Sequence, residues 1–148
     1  MDHSMLAAQM FVDGYNCAQS VAAAFSDVTG FTPEQSAKMV SAFGGGMGRM
    51  REVCGAVSGM FFVLGTLYGY DKPDPEAQKA IYASVQKLAE AFRQQAGSII
   101  CREILKNPPT DPKPSPRTAE YYKERPCTRL VVIAAQLLDA YIQSHPVS

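Results

Sequence analysis

Residues 43–70, FGGGMGRMREVCGAVSGMFFVLGTLYGY, decide how the rest of the chain is read. Gly44, Gly45, Gly46 and Gly48 open the stretch, and the charged run Arg49-Met50-Arg51-Glu52 follows. The next eighteen residues, 53–70, carry no charge. A segment apolar on every side is buried, either in a protein core or in a bilayer. Eighteen uncharged residues reach the lower end of a membrane span. Four glycines (Gly55, Gly59, Gly65, Gly69), Ser58, Thr66 and two tyrosines dilute the apolarity, and no second span exists. The reading is therefore a central helix wrapped by other helices, without membrane insertion.

Gly55 and Gly59 fall on one face of that helix, as do Gly65 and Gly69, because residues four apart line up. Each glycine costs a helix about 1 kcal/mol against alanine. Four of them predict that a neighbour comes close to the backbone; the plainer alternative is a helix broken near Gly65.

Outward from this stretch, start and stop signals divide the chain into helices. Residues 3–13 form a short apolar helix stopped at Asp13-Gly14, and Asn16 caps a second from Cys17 to about Asp27. The inward face of the second is Cys17, Val21, Ala24 and Phe25. Thr32-Pro33-Glu34-Gln35 reads as a capping box with proline at the first position, starting a helix to about Phe43. Asp74 caps a long amphipathic helix over 75–96 with Ala77, Ile81, Val85, Leu88 and Phe92 inward. Gly97 stops it, and Ser98 caps a short helix holding Ile100, Cys101, Ile104 and Leu105. Residues 106–117, KNPPTDPKPSPR, contain five prolines and predict an extended, semi-rigid surface segment. A last helix starts near Arg125-Pro126-Cys127 and runs to about Gln143, with Leu130, Ile133, Ala134, Leu137 and Tyr141 inward. No stretch alternates with a period of two, so no strand is predicted. The class is all-α, a single-domain helical bundle over residues 1–148 around the glycine-rich apolar helix.

Fourteen basic residues balance fourteen acidic ones, which gives no charge excess for nucleic acid or an anionic membrane. The segment MDHSMLAAQMF has no basic region before its apolar part and does not read as a secretory signal. A cytoplasmic location is the expectation, and there four cysteines are thiols or ligands rather than structural disulfides.

All four cysteines, Cys17, Cys54, Cys101 and Cys127, are predicted within about a turn of a helix start. Free N–H groups and the helix dipole favour negative charge there, which predicts lowered thiol pKa values. Arg51, Arg102, Arg125 and Arg129 lie near three of them in sequence and would act the same way if turned inward. Against this, buried cysteines often serve as small hydrophobes. The spacings of 37, 47 and 26 residues contain no C-x-x-C pair, so neither a zinc ribbon nor a thioredoxin-like motif is present.

Cys17 in GYNCAQSV, CGAVSG at residues 54–59, and the single Cys101 and Cys127 downstream resemble the C_GCAxxG_C_C family of redox-active proteins. The resemblance covers essentially the whole chain, matches all four family cysteines and implies a redox role, through a bound iron–sulfur cluster or reversible disulfides.

Three functions follow as expectations. In the first, Cys17, Cys54, Cys101 and Cys127 converge to ligate an iron–sulfur cluster or zinc for electron transfer or redox sensing, under the Gly44–Gly48 loop. In the second, the chain is a thiol–disulfide oxidoreductase with Cys54 as nucleophile, Cys17 as resolver and no cofactor. In the third, it is a helical interaction module with inert buried thiols. A redox role implies a partner protein of unknown identity, and the amphipathic helices carry enough apolar surface to admit a homodimer. The Gly44–Gly48 loop lacks the Lys-Ser/Thr ending of a P-loop and reads as a tight turn rather than an anion site. His3 and His145 have no partner at ligand spacing, and Tyr121 and Tyr122 read as core or surface packing, with a cover over the cysteines as the alternative.

Overall fold

A computed structural model describes residues 2–147, apart from the side chains of residues 123 and 124. α1 (His3–Val12) starts under an Asp2 cap and stops just before Gly14, whose φ is 114°. Reciprocal capping boxes, Asn16 with Gln19 and Thr32 with Gln35, start α2 (Cys17–Ala24) and α4 (Pro33–Met39), and α3 (Ser26–Thr29) is a single turn between them. A 3₁₀ turn at Ser41–Phe43 and the kinked turn α5 (Gly44–Met47) lead to α6 (Gly55–Tyr68). Asp74 caps α7 (Pro75–Ala96), which ends at Gly97 with φ 92°. α8 (Cys101–Ile104), α9 (Ala119–Glu124) and α10 (Cys127–Ser144) complete the chain.

The all-α class holds: among the described residues no strand forms, only one antiparallel bridge between Val53 and Ile100. No helix there is long and apolar enough to cross a membrane. Two boundaries differ from expectation. The helix expected to reach Asp27 closes at Ala24, and the one expected to reach Phe43 closes at Met39. α9 was not anticipated, because five prolines precede it; Thr118 caps it by accepting the Tyr121 N–H at 3.2 Å.

The main core joins side chains of α1, α2, α6, α7 and α10. The expectation of one central helix is too simple, because α2 is buried as completely as α6. Ala18 and every residue from Ser20 to Phe25 are buried, whereas in α6 Gly65 and Thr66 face out. The two helices meet on the Gly55–Gly59 face. A Cβ on Gly59 would stand 2.7 Å from the Ala18 carbonyl oxygen, and one on Gly55 would stand 3.1 Å from the Cys17 Cβ. The same argument fails for the second glycine pair: Gly65 has nothing within 4 Å, and Gly69 lies past the helix end.

His3 is a structural tie that sequence spacing did not reveal. Its Nδ1 stands 2.5 Å from an Asp139 oxygen and its Nε2 2.9 Å from Asp27, with the ring stacked on Phe25 at 4.1 Å. These contacts fasten the start of α1 to α3 and α10, across 136 residues in the case of Asp139.

The seam predicts opposite outcomes for two glycines of one helix. Gly59→Ala drives a methyl into backbone and is expected to destabilise by roughly 1–3 kcal/mol in urea unfolding. Gly65→Ala meets open space and is expected to stabilise by up to about 1 kcal/mol in the same assay.

Candidate redox site

Each cysteine stands at a helix start. Cys17, Cys101 and Cys127 are the first residues of α2, α8 and α10, and Cys54 is the N-cap of α6. The backbone brings these starts together. Missing side chains at Gly55 and Gly46 let Cys17 rest on the start of α6 and Cys101 rest on the loop before it. The Val53–Ile100 bridge then locks two starts side by side: the Cys54 N–H donates to the Ile99 carbonyl at 2.7 Å and the Cys101 N–H to the Glu52 carbonyl at 2.6 Å.

Cys17 and Cys127 open into one cavity of about 380 Å³. Cys54 and Cys101 are buried and do not line it. The cavity wall includes Gly44, Gly45 and Gly48 of the glycine loop, Pro112, Pro114 and Ser115 of the proline segment, Phe11, Tyr121, and four arginines. The proline segment, expected only as a surface spacer, is thus part of the wall. Tyr121 also lines the cavity, whereas Tyr122 does not.

The glycine loop is wound tightly. Gly45, Gly46, Met47, Gly48, Arg49 and Arg51 all have positive φ, at a cost of about 1 kcal/mol or more for each non-glycine residue. That winding turns Arg49 and Arg51 inward. Arg49 donates from Nε to the Asp111 carbonyl at 2.7 Å and from Nη1 to Ser115 Oγ at 3.1 Å. Arg51 donates from Nε to the Pro109 carbonyl at 2.9 Å. Both therefore hold the proline segment in place. Arg117 anchors its far end to α1, donating to the Phe11 and Tyr15 carbonyls with its guanidinium 4.2 Å above the Phe11 ring.

Three of the sequence-adjacent arginines do not act where expected. Arg51 reaches Cys101 (Nη1 to Sγ 3.6 Å), Arg102 pairs with Glu52, and Arg129 donates to the Gln95 carbonyl. Arg125 does act on Cys127, and Arg117, not anticipated, joins it.

Acidity separates the four thiols. Cys127 is lowered to about 7, first by its contact with the Cys17 thiol, then by the Arg125 and Arg117 charges and the Tyr121 hydroxyl, against the opposing effect of burial. Cys17 is raised well above the ordinary thiol value: it holds its proton toward Cys127, and burial adds to the effect. Burial pushes Cys54 up to about 12, although the amides of Ala56 and Val57 at the helix start pull the other way. Cys101 is also raised by burial, which outweighs the Arg51 guanidinium. Of the four thiols only Cys127 is lowered as expected, and the causes there are side chains arriving from elsewhere rather than its helix start. Desolvation disfavours charge by up to several pKa units, more than a helix terminus returns. Tyr121, raised to about 12 by burial and by the Cys127 charge, keeps its proton beside that sulfur.

Four thiolates around one ion would suit a cluster or zinc, with Zn–S bonds of about 2.3 Å. Among the described residues no three His, Cys, Asp or Glu side chains are placed to share a metal ion.

Alkylation by iodoacetamide, mapped by peptide mass against pH, is expected to modify Cys127 first, with half-maximal rate at a pH of about 7. Cys17→Ala removes the largest stabiliser of the Cys127 thiolate and is expected to move that midpoint upward.

A family model described as "Putative redox-active protein (C_GCAxxG_C_C)" matches residues 15–141, most of the chain. No curated protein and no solved structure matches it. The matched region spans all four cysteines and the cavity wall apart from Phe11. The chain belongs to the C_GCAxxG_C_C family.

Proposed function

We propose that the chain is a thiol–disulfide redox protein in which Cys127 attacks and Cys17 resolves. One observation carries this reading: the two thiols line one cavity, and of the four only Cys127 has its pKa lowered, with the Cys17 thiol as the first cause. Cys54, the nucleophile expected from sequence, is off the cavity and raised to about 12. At neutral pH about half of Cys127 is thiolate, against roughly one part in 10⁵ of Cys54. The stronger intrinsic nucleophilicity of the more basic sulfur recovers only about half of that gap in logarithmic terms. Cys127 therefore wins.

The exchange balances in two steps. The Cys127 thiolate attacks one sulfur of a substrate disulfide, breaking its S–S bond and releasing one substrate thiolate, which takes up the proton given up by Cys127. Cys17 then loses its proton and attacks Cys127 Sγ, forming the Cys17–Cys127 disulfide. The second substrate thiolate leaves with the Cys17 proton. The substrate gains two electrons and the protein dithiol loses two. In the resting state the contact with Cys17 steadies the Cys127 thiolate, and Arg125 and Arg117 add to that. Tyr121 stands over the same sulfur with its proton in place. A link from Cys17 to Cys127 would close a loop of about a hundred residues, so the oxidised form is expected to be more stable by up to roughly 4–5 kcal/mol.

Protein purified without oxygen separates this reading from a metal centre. The expected result is a colourless protein without iron or zinc whose titratable thiols fall from four to two on mild oxidation. Iron or zinc near one equivalent or more, lost together with fold stability on chelation, would favour ligation instead. Cys17→Ser is expected to trap a mixed disulfide on Cys127, whereas Cys127→Ser should form none.

A further inference from the structure

The cavity above Cys17 and Cys127 is out of charge balance. Arg49, Arg51, Arg117 and Arg125 line it, and among the described residues no aspartate or glutamate does. Among the described residues only Arg49 of the four meets a carboxylate, Asp111 at 3.7 Å, and that side chain is 60% exposed. Arg117 spends its donors on backbone carbonyls and the Tyr122 hydroxyl, and Arg125 reaches Ser115 Oγ at 3.5 Å.

Arg51 is the sharpest case. It is 3% exposed, its Nε serves the Pro109 carbonyl, and its Nη1 faces the Cys101 sulfur. Its Nη2 is buried without a hydrogen-bond partner among the described residues. A buried guanidinium with a spare donor and no carboxylate is an incomplete arrangement, because buried charges are normally paired. The planar fork matches the two oxygens of a carboxylate better than any neutral group. The loop that presents it holds Arg49 and Arg51 at positive φ, and such strained backbone gathers at ligand clamps.

We propose that the cavity takes a small disulfide bearing carboxylates. The arginine lining, Arg51 foremost, holds the acid groups while the S–S bond is presented to Cys127. This inference rests on the dithiol–disulfide reading and names the class of its oxidising substrate. Size points the same way: about 380 Å³ lies at the small end of ligand cavities and suits a compact molecule rather than a folded partner's loop. The electron balance is unchanged. The small disulfide leaves as two acid-bearing thiols carrying the two protons, and Cys17 and Cys127 become joined.

Dithiodipropionate and cystamine share the disulfide bond and a similar length but carry opposite charges. Each is mixed with the reduced wild-type protein at about pH 7 and low salt, and Cys17–Cys127 bond formation is followed by acid quench and mass. The anionic disulfide is expected to react at least about 10-fold faster, with the ratio shrinking as salt rises. Arg51→Gln is expected to cut the ratio of the two rates several-fold, through slower reaction with the anionic disulfide. Equal rates, or faster reaction with cystamine or with a protein disulfide alone, would overturn the substrate class and leave the dithiol chemistry intact. Calorimetric titration of the Cys17→Ser/Cys127→Ser protein with adipate reads the anion site without thiol chemistry. Saturable binding supports the site and no binding overturns it, even if neither disulfide oxidises the pair and the redox reading itself has failed.

Discussion

Everything at the redox site depends on how closely α2 lies against α6. Side chains at Gly55 and Gly59 would occupy the space taken by the Cys17 Cβ and the Ala18 carbonyl, so glycine at those positions sets the distance between the helices. The seam buries α2 on nearly all sides and fixes Cys17 over the start of α6. α10 packs against both helices and brings its own first residue, Cys127, to the same end of the bundle. Helix direction then does the rest. The starts that carry Cys17 and Cys127 face one cavity, and the Val53–Ile100 bridge holds those of Cys54 and Cys101 beside it.

Within that frame, burial and the helix termini act in opposite directions on the same atoms. Cys54 gains from the amides of its helix start, yet burial still raises it; Cys101 is raised by burial, and Cys17 is raised first by holding its proton toward Cys127 and then by burial. Cys127 escapes through a combination the others lack: a thiol donor, two guanidinium charges and a phenol hydroxyl directed at one sulfur. The outcome is one acidic thiol beside one protonated thiol, the asymmetry that attack followed by resolution requires. Cys54 and Cys101 are more basic and do not line the cavity, and in this account they shape the surroundings of Cys127 rather than react.

Much of the fold was legible because its signals are local. Asn16 with Gln19, Thr32 with Gln35, Asp74 and Gly97 each fix a helix end through groups within three or four residues, and each works as its sequence suggests. The helix-start position of all four cysteines was readable for the same reason. What stayed hidden depends on contacts between distant segments. His3 meets Asp139 across 136 residues, Arg49 meets Ser115 across 66, and Arg117 meets the Phe11 carbonyl across 106. Nothing near Arg49 or Arg117 in sequence marks them as cavity residues. The proline segment reads as a spacer until the two loop arginines are seen to hold it against the site. The acidity of Cys127 was out of reach because it depends on which side chains arrive from elsewhere, whereas the dipole that suggested it is common to all four.

The pairing of Cys17 with Cys127 is the central claim, and peptide mapping of the oxidised protein under non-reducing conditions tests it most directly. The account predicts one cross-linked species, Cys17 to Cys127, with Cys54 and Cys101 recovered as free thiols. A bond between Cys54 and Cys101, or an oxidised protein in which Cys127 remains free, would contradict it.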